Sequence, residues 1–114
     1  MDLGFTATDR EGRAVLSVRG EIDVATAPQL RERLLELVGT GERDVILDLD
    51  GVGFLDSTGL GVIVGCLKRA RTNGRDLVLV CTNRPILKVL EITGLTRVFA
   101  IHDTVDAAAS SSSA

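Results

Sequence analysis

The stretch that most constrains the fold is DVILDLDGVGFLDSTGLGVIVGCLKRARTNGRDLVLVC, residues 44–81. Val45, Ile46 and Leu47 form an uninterrupted apolar triplet, the pattern of a strand covered on both faces and paired in parallel. From Ser57 the period changes: Leu60, Ile63, Val64 and Leu67 recur at helical spacing. Lys68, Arg69 and Arg71 close that helix with positive charge, where its dipole favours cations. RDLVLVC, residues 75–81, is the next strand. Two strands joined by a helix cannot be a hairpin, so the segment is a β-α-β unit, which crosses over right-handedly in nearly all cases.

The rest of the chain extends this unit. FTATDREGRAVLSVRGEI reads as two strands around the turn DREGR, and Leu16 and Val18 alternate with Ser17 and Arg19 as in a strand with one wet face. In DVATAPQLRERLLELVGTGER, Thr26 is placed to cap a helix and Pro28 suits its first turn. Leu30, Leu34, Leu37 and Val38 form the buried stripe of that helix, Glu32, Arg33 and Glu36 face out, and Gly39 and Gly41 end it. RPILKVLEITGL is a third, shorter helix, RVFAIH a last strand, and DTVDAAAS leaves room for at most a short terminal helix. AAASSSSA is low in complexity and is expected to be disordered, giving a domain over residues 1–107 and a Ser/Ala-rich tail over 108–114. The order β-β-α-β-α-β-α-β describes one α/β domain, of a size that 114 residues fit.

Several function classes are disfavoured. A net charge of −3, a pI near 5.1 and the absence of Trp and Tyr argue against a nucleic-acid surface, which needs cations for phosphates and rings for stacking. The N-terminus is polar, and no apolar run approaches the roughly 18 residues of a membrane span. Cys66 and Cys81 match no metal-binding or redox spacing and read as buried, reduced thiols of a cytoplasmic protein. No metal site and no cofactor are expected.

The run FLDSTGLG carries the chemistry. Asp, Ser and Thr before a helix are favoured caps, because their oxygens accept from unpaired first-turn N–H groups. A hydrolase elbow needs G-x-S-x-G, but Leu55 stands two residues before Ser57, and His102 is the single histidine. Asp48, Asp50 and Asp56 lack the acidic pair that a magnesium-dependent phosphoaspartate site requires, and no P-loop is present. Gly59, Gly61 and Gly65 imitate a dinucleotide fingerprint with the wrong spacing. The first two suit a tight turn or a close-approaching partner, and Gly65 is expected to pack against the sheet. A helix N-terminus also tolerates phosphate. Phosphorylation of Ser57 would add about −1.5 to −2 charge beside Asp56. Ser57 could thus cap in one state and be modified in the other.

GEIDVATAPQLRERL, DVILDLDGVGFLDSTGLGVIVGCLKRA and ILKVLEITGL, taken together, resemble the successive signatures of bacterial anti-sigma-factor antagonists of the STAS-domain family, over residues 3–105. The resemblance implies a STAS-like α/β domain with a mixed four- to five-stranded sheet and helices mainly on one face. It implies a non-enzymatic partner-switching regulator that, unphosphorylated, binds an anti-sigma factor with serine kinase activity and so frees the sigma factor. Phosphorylation of Ser57 would switch it off, and a metal-dependent serine phosphatase would reset it; Thr58 is an adjacent second hydroxyl. The partner-binding patch would comprise Asp23 and Thr26 from one loop, Asp56, Ser57 and Thr58 at the helix start, and Leu60, Gly61, Val64 and Lys68 along the helix. Leu60 and Val64 also belong to the apolar stripe, so both a core and a surface role stand open for them. The rival readings are a STAS scaffold or ligand-sensing subunit of a signalling assembly and, more remotely, a Ser57-dependent hydrolase.

Overall fold

The computed structural model describes residues 2–110. Strand β1 (Gly4–Arg10) turns into β2 (Arg13–Ile22) through Glu11 and Gly12, whose φ angles of 52° and 80° are both positive. That pair of left-handed residues matches the twist of a two-residue hairpin, and the antiparallel register closes with Arg10 opposite Arg13. Beyond the hairpin all pairing is parallel: β2 with β3 (Val45–Leu55), β3 with β4 (Leu77–Val80), and β4 with β5 (Ile101–His102). The sheet is therefore mixed, five-stranded and ordered β1-β2-β3-β4-β5.

Alternation along the strands divides the core in two. Ala14, Leu16 and Val18 of β2, Leu47 and Leu49 of β3 and Leu77 and Leu79 of β4 point into one cluster. There they meet α1 (Ala27–Val38), α2 (Ser57–Thr72) and α3 (Arg84–Ile92). Their neighbours Val15, Ile46 and Val80 point the opposite way, onto α4 (Val105–Ser110). Among the described residues, three helices on one face and one short helix on the other give the α/β layering that the element order implies, mainly one-sided as the family resemblance implies.

Four local expectations are corrected. The last strand shrinks to two residues, because Leu95–Arg97 form a 3₁₀ turn after Gly94, whose φ is 77°. The tail does not begin at 108: residues 108–110 complete α4, with Ala108 and Ala109 buried against Val15, Ile46 and Val80. The small side chains let the helix lie flat on the sheet. Residues 111–114 of the expected tail lie outside the described residues. Arg33 does not simply face out; its guanidinium sits 4.9 Å from the centroid of the Phe5 ring, a cation–π contact. Gly65 does not pack against the sheet either, since a Cβ there would meet nothing within 4 Å. Cys66 and Cys81 are buried free thiols. Among the described residues, no helix is long and apolar enough to cross a membrane.

Candidate functional site

Parallel pairing brings two loops together at one end of the sheet. Ile22 at the end of β2 is registered with Leu55 at the end of β3, so Asp23 and Asp56 leave the sheet side by side. The backbone N–H of Asp56 donates to the carbonyl of Ile22 at 3.1 Å, joining the start of α2 to the Asp23 loop. In open parallel sheets this carboxyl edge is where ligands and partners meet the fold.

The helix start is built around Asp56. Its backbone is extended (φ −101°, ψ −177°), and its carboxylate accepts from the N–H of Gly59 at 3.0 Å. This satisfies one of the unpaired donors of the first turn. The cap is therefore Asp56 and not Ser57, which corrects the expectation that Ser57 caps. Ser57 and Thr58 occupy the first helical positions, are exposed, and have no hydrogen-bond partner for their hydroxyls among the described residues. Gly59 is required by close packing: a Cβ there would lie 2.5 Å from Ile22 Cγ2 and 2.7 Å from Leu55 Cδ1. The absence of a side chain lets the first turn of α2 settle onto both strand ends.

The Asp23 loop is held from within. The Thr26 hydroxyl donates to the carbonyl of Glu21 at 2.7 Å and accepts from the N–H of Asp23 at 3.0 Å. The Asp23 carboxylate accepts from the N–H groups of Ala25 and Thr26 at 2.9 and 3.0 Å. The Thr26 N–H, opposed in part by burial and aided by Ala25, holds this carboxyl below the ordinary aspartate range. Thr26 precedes α1 without a side-chain capping bond and is only 5% exposed. Its hydroxyl is engaged in holding the loop from inside. Val24, by contrast, is 71% exposed between them. Its signal in the sequence is an apolar residue that fits neither the strand alternation nor the helical stripe.

Along α2 the two open positions resolve differently. Leu60 is 8% exposed and belongs to the core, so its partner-binding assignment is corrected; Val64 is half-buried. Gly61 and Lys68 are exposed, and with Thr58 they line a groove of about 520 Å³ between α1 and α2. Asp2, Glu21, Asp23, Ala25 and Thr26 border a separate hollow of about 360 Å³. His102 lies on β5, two strands away from β3. Among the described residues no group of three or more His, Cys, Asp and Glu side chains gathers as a metal site would need.

Comparison with known proteins agrees with this architecture. The STAS domain family matches residues 5–108. The anti-sigma-B factor antagonist of Staphylococcus aureus is 35% identical over 103 residues, covering 90% of this chain and 95% of that protein. The crystal structure of an anti-sigma factor antagonist from Mycobacterium paratuberculosis superimposes with a TM-score of 0.85 at 28% identity, covering 93% and 90% of the two chains. The Bacillus cell fate determinant SpoIIAA in its phosphorylated form shares the fold at 21% identity, with a TM-score of 0.69 and coverage of 92% and 96%. With a family match over nearly its whole length and a relative at this level of identity, the chain belongs to the STAS domain family.

Proposed function

We propose that this protein is an anti-sigma-factor antagonist, a non-enzymatic cytoplasmic regulator whose switch is phosphorylation of Ser57. The observation that carries the reading is the division of labour at the start of α2. Asp56 caps the helix, which leaves the Ser57 hydroxyl exposed and unengaged on the surface that Asp23 and Val24 share. The likeness to the S. aureus antagonist supports the choice of partner, an anti-sigma factor. In this reading the anti-sigma factor is an ATP-dependent serine kinase, bound by the unphosphorylated protein and released by the phosphorylated one. Release of the sigma factor follows from that binding, and a metal-dependent serine phosphatase restores the bound state.

The physical basis of the switch is electrostatic. A phosphate on Ser57 would stand at the positive end of α2, so the fold tolerates it. It would also add about −1.5 to −2 charge beside Asp56 and close to Asp23, on a surface that a partner must desolvate. A mismatch of a few kcal/mol there corresponds to a tens- to hundreds-fold loss of affinity.

Incubation with ATP and the anti-sigma serine kinases of the same organism tests the proposal. The expected result is a tryptic peptide spanning Ser57 that gains one phosphate, absent in Ser57→Ala. Phosphorylation elsewhere, or none with any such kinase that binds the protein, would refute it.

A further inference from the structure

Three positive side chains meet at the groove between α1 and α2: Arg31 from one wall, Lys68 and Arg69 from the other. None of the three has an ion-pair partner among the described residues, whereas Arg10, Arg43 and Arg71 pair with Asp106, Asp9 and Asp76. Among the described residues no acidic side chain lines the groove. In a chain of net charge −3 this is an uncompensated positive concavity. The charge of Arg31 is felt inside it, where it opposes the effect of burial on the Cys66 thiol at the floor.

The shape of the groove narrows the ligand. Gly61 and Gly65 lie one turn apart on α2, and a Cβ at either would meet nothing within 4 Å, so bare helix backbone is presented along that line. Leu35 and Val62, both half-buried, add apolar contact. A nucleic acid would find no aromatic side chain here for its bases and would meet an acidic protein around the groove. A small inorganic anion would find exposed lysine and arginine side chains but no buried donor to fix it. A polypeptide that alternates carboxylates with apolar side chains meets both the cations and the apolar floor.

We infer that the α1–α2 groove docks an acidic, partly apolar segment of a protein partner, with Arg31, Lys68 and Arg69 taking its carboxylates and Gly61 and Gly65 admitting its backbone. The inference deepens the proposed function and rests on its reading of the chain as a protein-binding regulator. Thr58 at one end of the groove makes this surface continuous with Ser57. A phosphate on Ser57 would therefore repel the acidic segment that the groove attracts.

Selection from a random peptide library displayed on phage tests this directly. The wild type should enrich peptides with excess Asp and Glu interleaved with apolar residues. Binding of the enriched peptides should weaken as salt rises. The triple variant Arg31→Glu, Lys68→Glu, Arg69→Glu should lose at least about tenfold in affinity, while the charge-preserving Arg31→Lys, Arg69→Lys pair should keep it. Gly65→Phe should also lose it, by filling the groove without a change of charge, with thermal melting confirming that each variant is folded. Absence of acidic enrichment, or undiminished binding by the triple variant or by Gly65→Phe, would overturn the inference. So would single-stranded RNA binding with the same residue dependence. The mass spectrum at Ser57 reads the proposed function independently, so the failure of either idea leaves the other measurable.

Discussion

The carboxylate of Asp56 accepts the N–H of Gly59 at 3.0 Å, and this one contact separates the capping of α2 from whatever is done to its serine. Asp56→Ala should therefore destabilise the domain by about 0.5–2 kcal/mol, the usual cost of a lost cap. Asp56→Asn and Asp56→Ser should retain most of the stability. Urea unfolding of the three variants measures the difference; an unchanged midpoint for Asp56→Ala would mean that the bond contributes nothing.

Ser57→Ala should leave stability within about 0.5 kcal/mol of the wild type, because an exposed hydroxyl without a partner is removed. Its affinity for the anti-sigma factor should also be retained. Ser57→Asp should fold equally well and bind tens- to hundreds-fold more weakly. Calorimetric titration of both variants provides the comparison, and equal affinity would contradict an electrostatic switch.

Two glycines of the same helix should respond to alanine in opposite directions. At Gly59 the new methyl would press on Ile22 and Leu55, and such overpacking costs about 1–3 kcal/mol. At Gly65 it would meet open space, and the better helix propensity of alanine should stabilise by up to about 1 kcal/mol. Thermal melts of the pair check the sign at each position. Propensity alone would make both changes stabilising.

Burial pushes the thiols of Cys66 and Cys81 above their ordinary value of 9.0. At neutral pH the thiols are protonated whether the chain is folded or unfolded, so neither contributes a pH-dependent term. Above about pH 9 the unfolded chain loses these protons while the folded chain retains them, so stability falls as pH rises. Denaturant midpoints measured from about pH 7 to 10 should decline, and the decline should be shallower in Cys66→Ala and Cys81→Ala. A slope unaffected by either substitution would assign the decline to other groups.

Ala109→Asp should cost about 2 kcal/mol or more, because it places a carboxylate between α4 and the sheet beside Val15, Ile46 and Val80. Ala107→Asp, on the exposed side of the same helix, should be nearly silent. Equal loss of stability in both would show that the cost does not come from burial against the sheet.

The elements that can be read from the sequence are those with strong periodicity. The β-α-β unit at residues 44–81 is legible because Val45–Leu47 and the Leu60, Ile63, Leu67 stripe each follow one period over enough residues. The extent of β5 is not, since Phe99 is buried as an anchor after a 3₁₀ turn and not as part of a ladder. α4 is faint because alanines and serines carry no hydrophobic period, although Ala108 and Ala109 close the second face of the sheet. In the site, Asp23, Asp56 and Ser57 stand out where short polar residues flank strand ends. The identity of the cap depends on which oxygen reaches Gly59, and the burial of Thr26 on a bond to Glu21. Both are distances in space that composition does not encode.

The joining of Asp56 to Ile22 by a main-chain hydrogen bond has a further consequence. Main-chain bonds place no demand on side-chain identity, so the two loops can drift in sequence while their spacing is preserved. Exposed positions such as Val24 and Lys68 can thus vary without disturbing that spacing. A hydroxyl that is exposed and supports nothing in the native state can likewise change its chemistry at little cost to the fold.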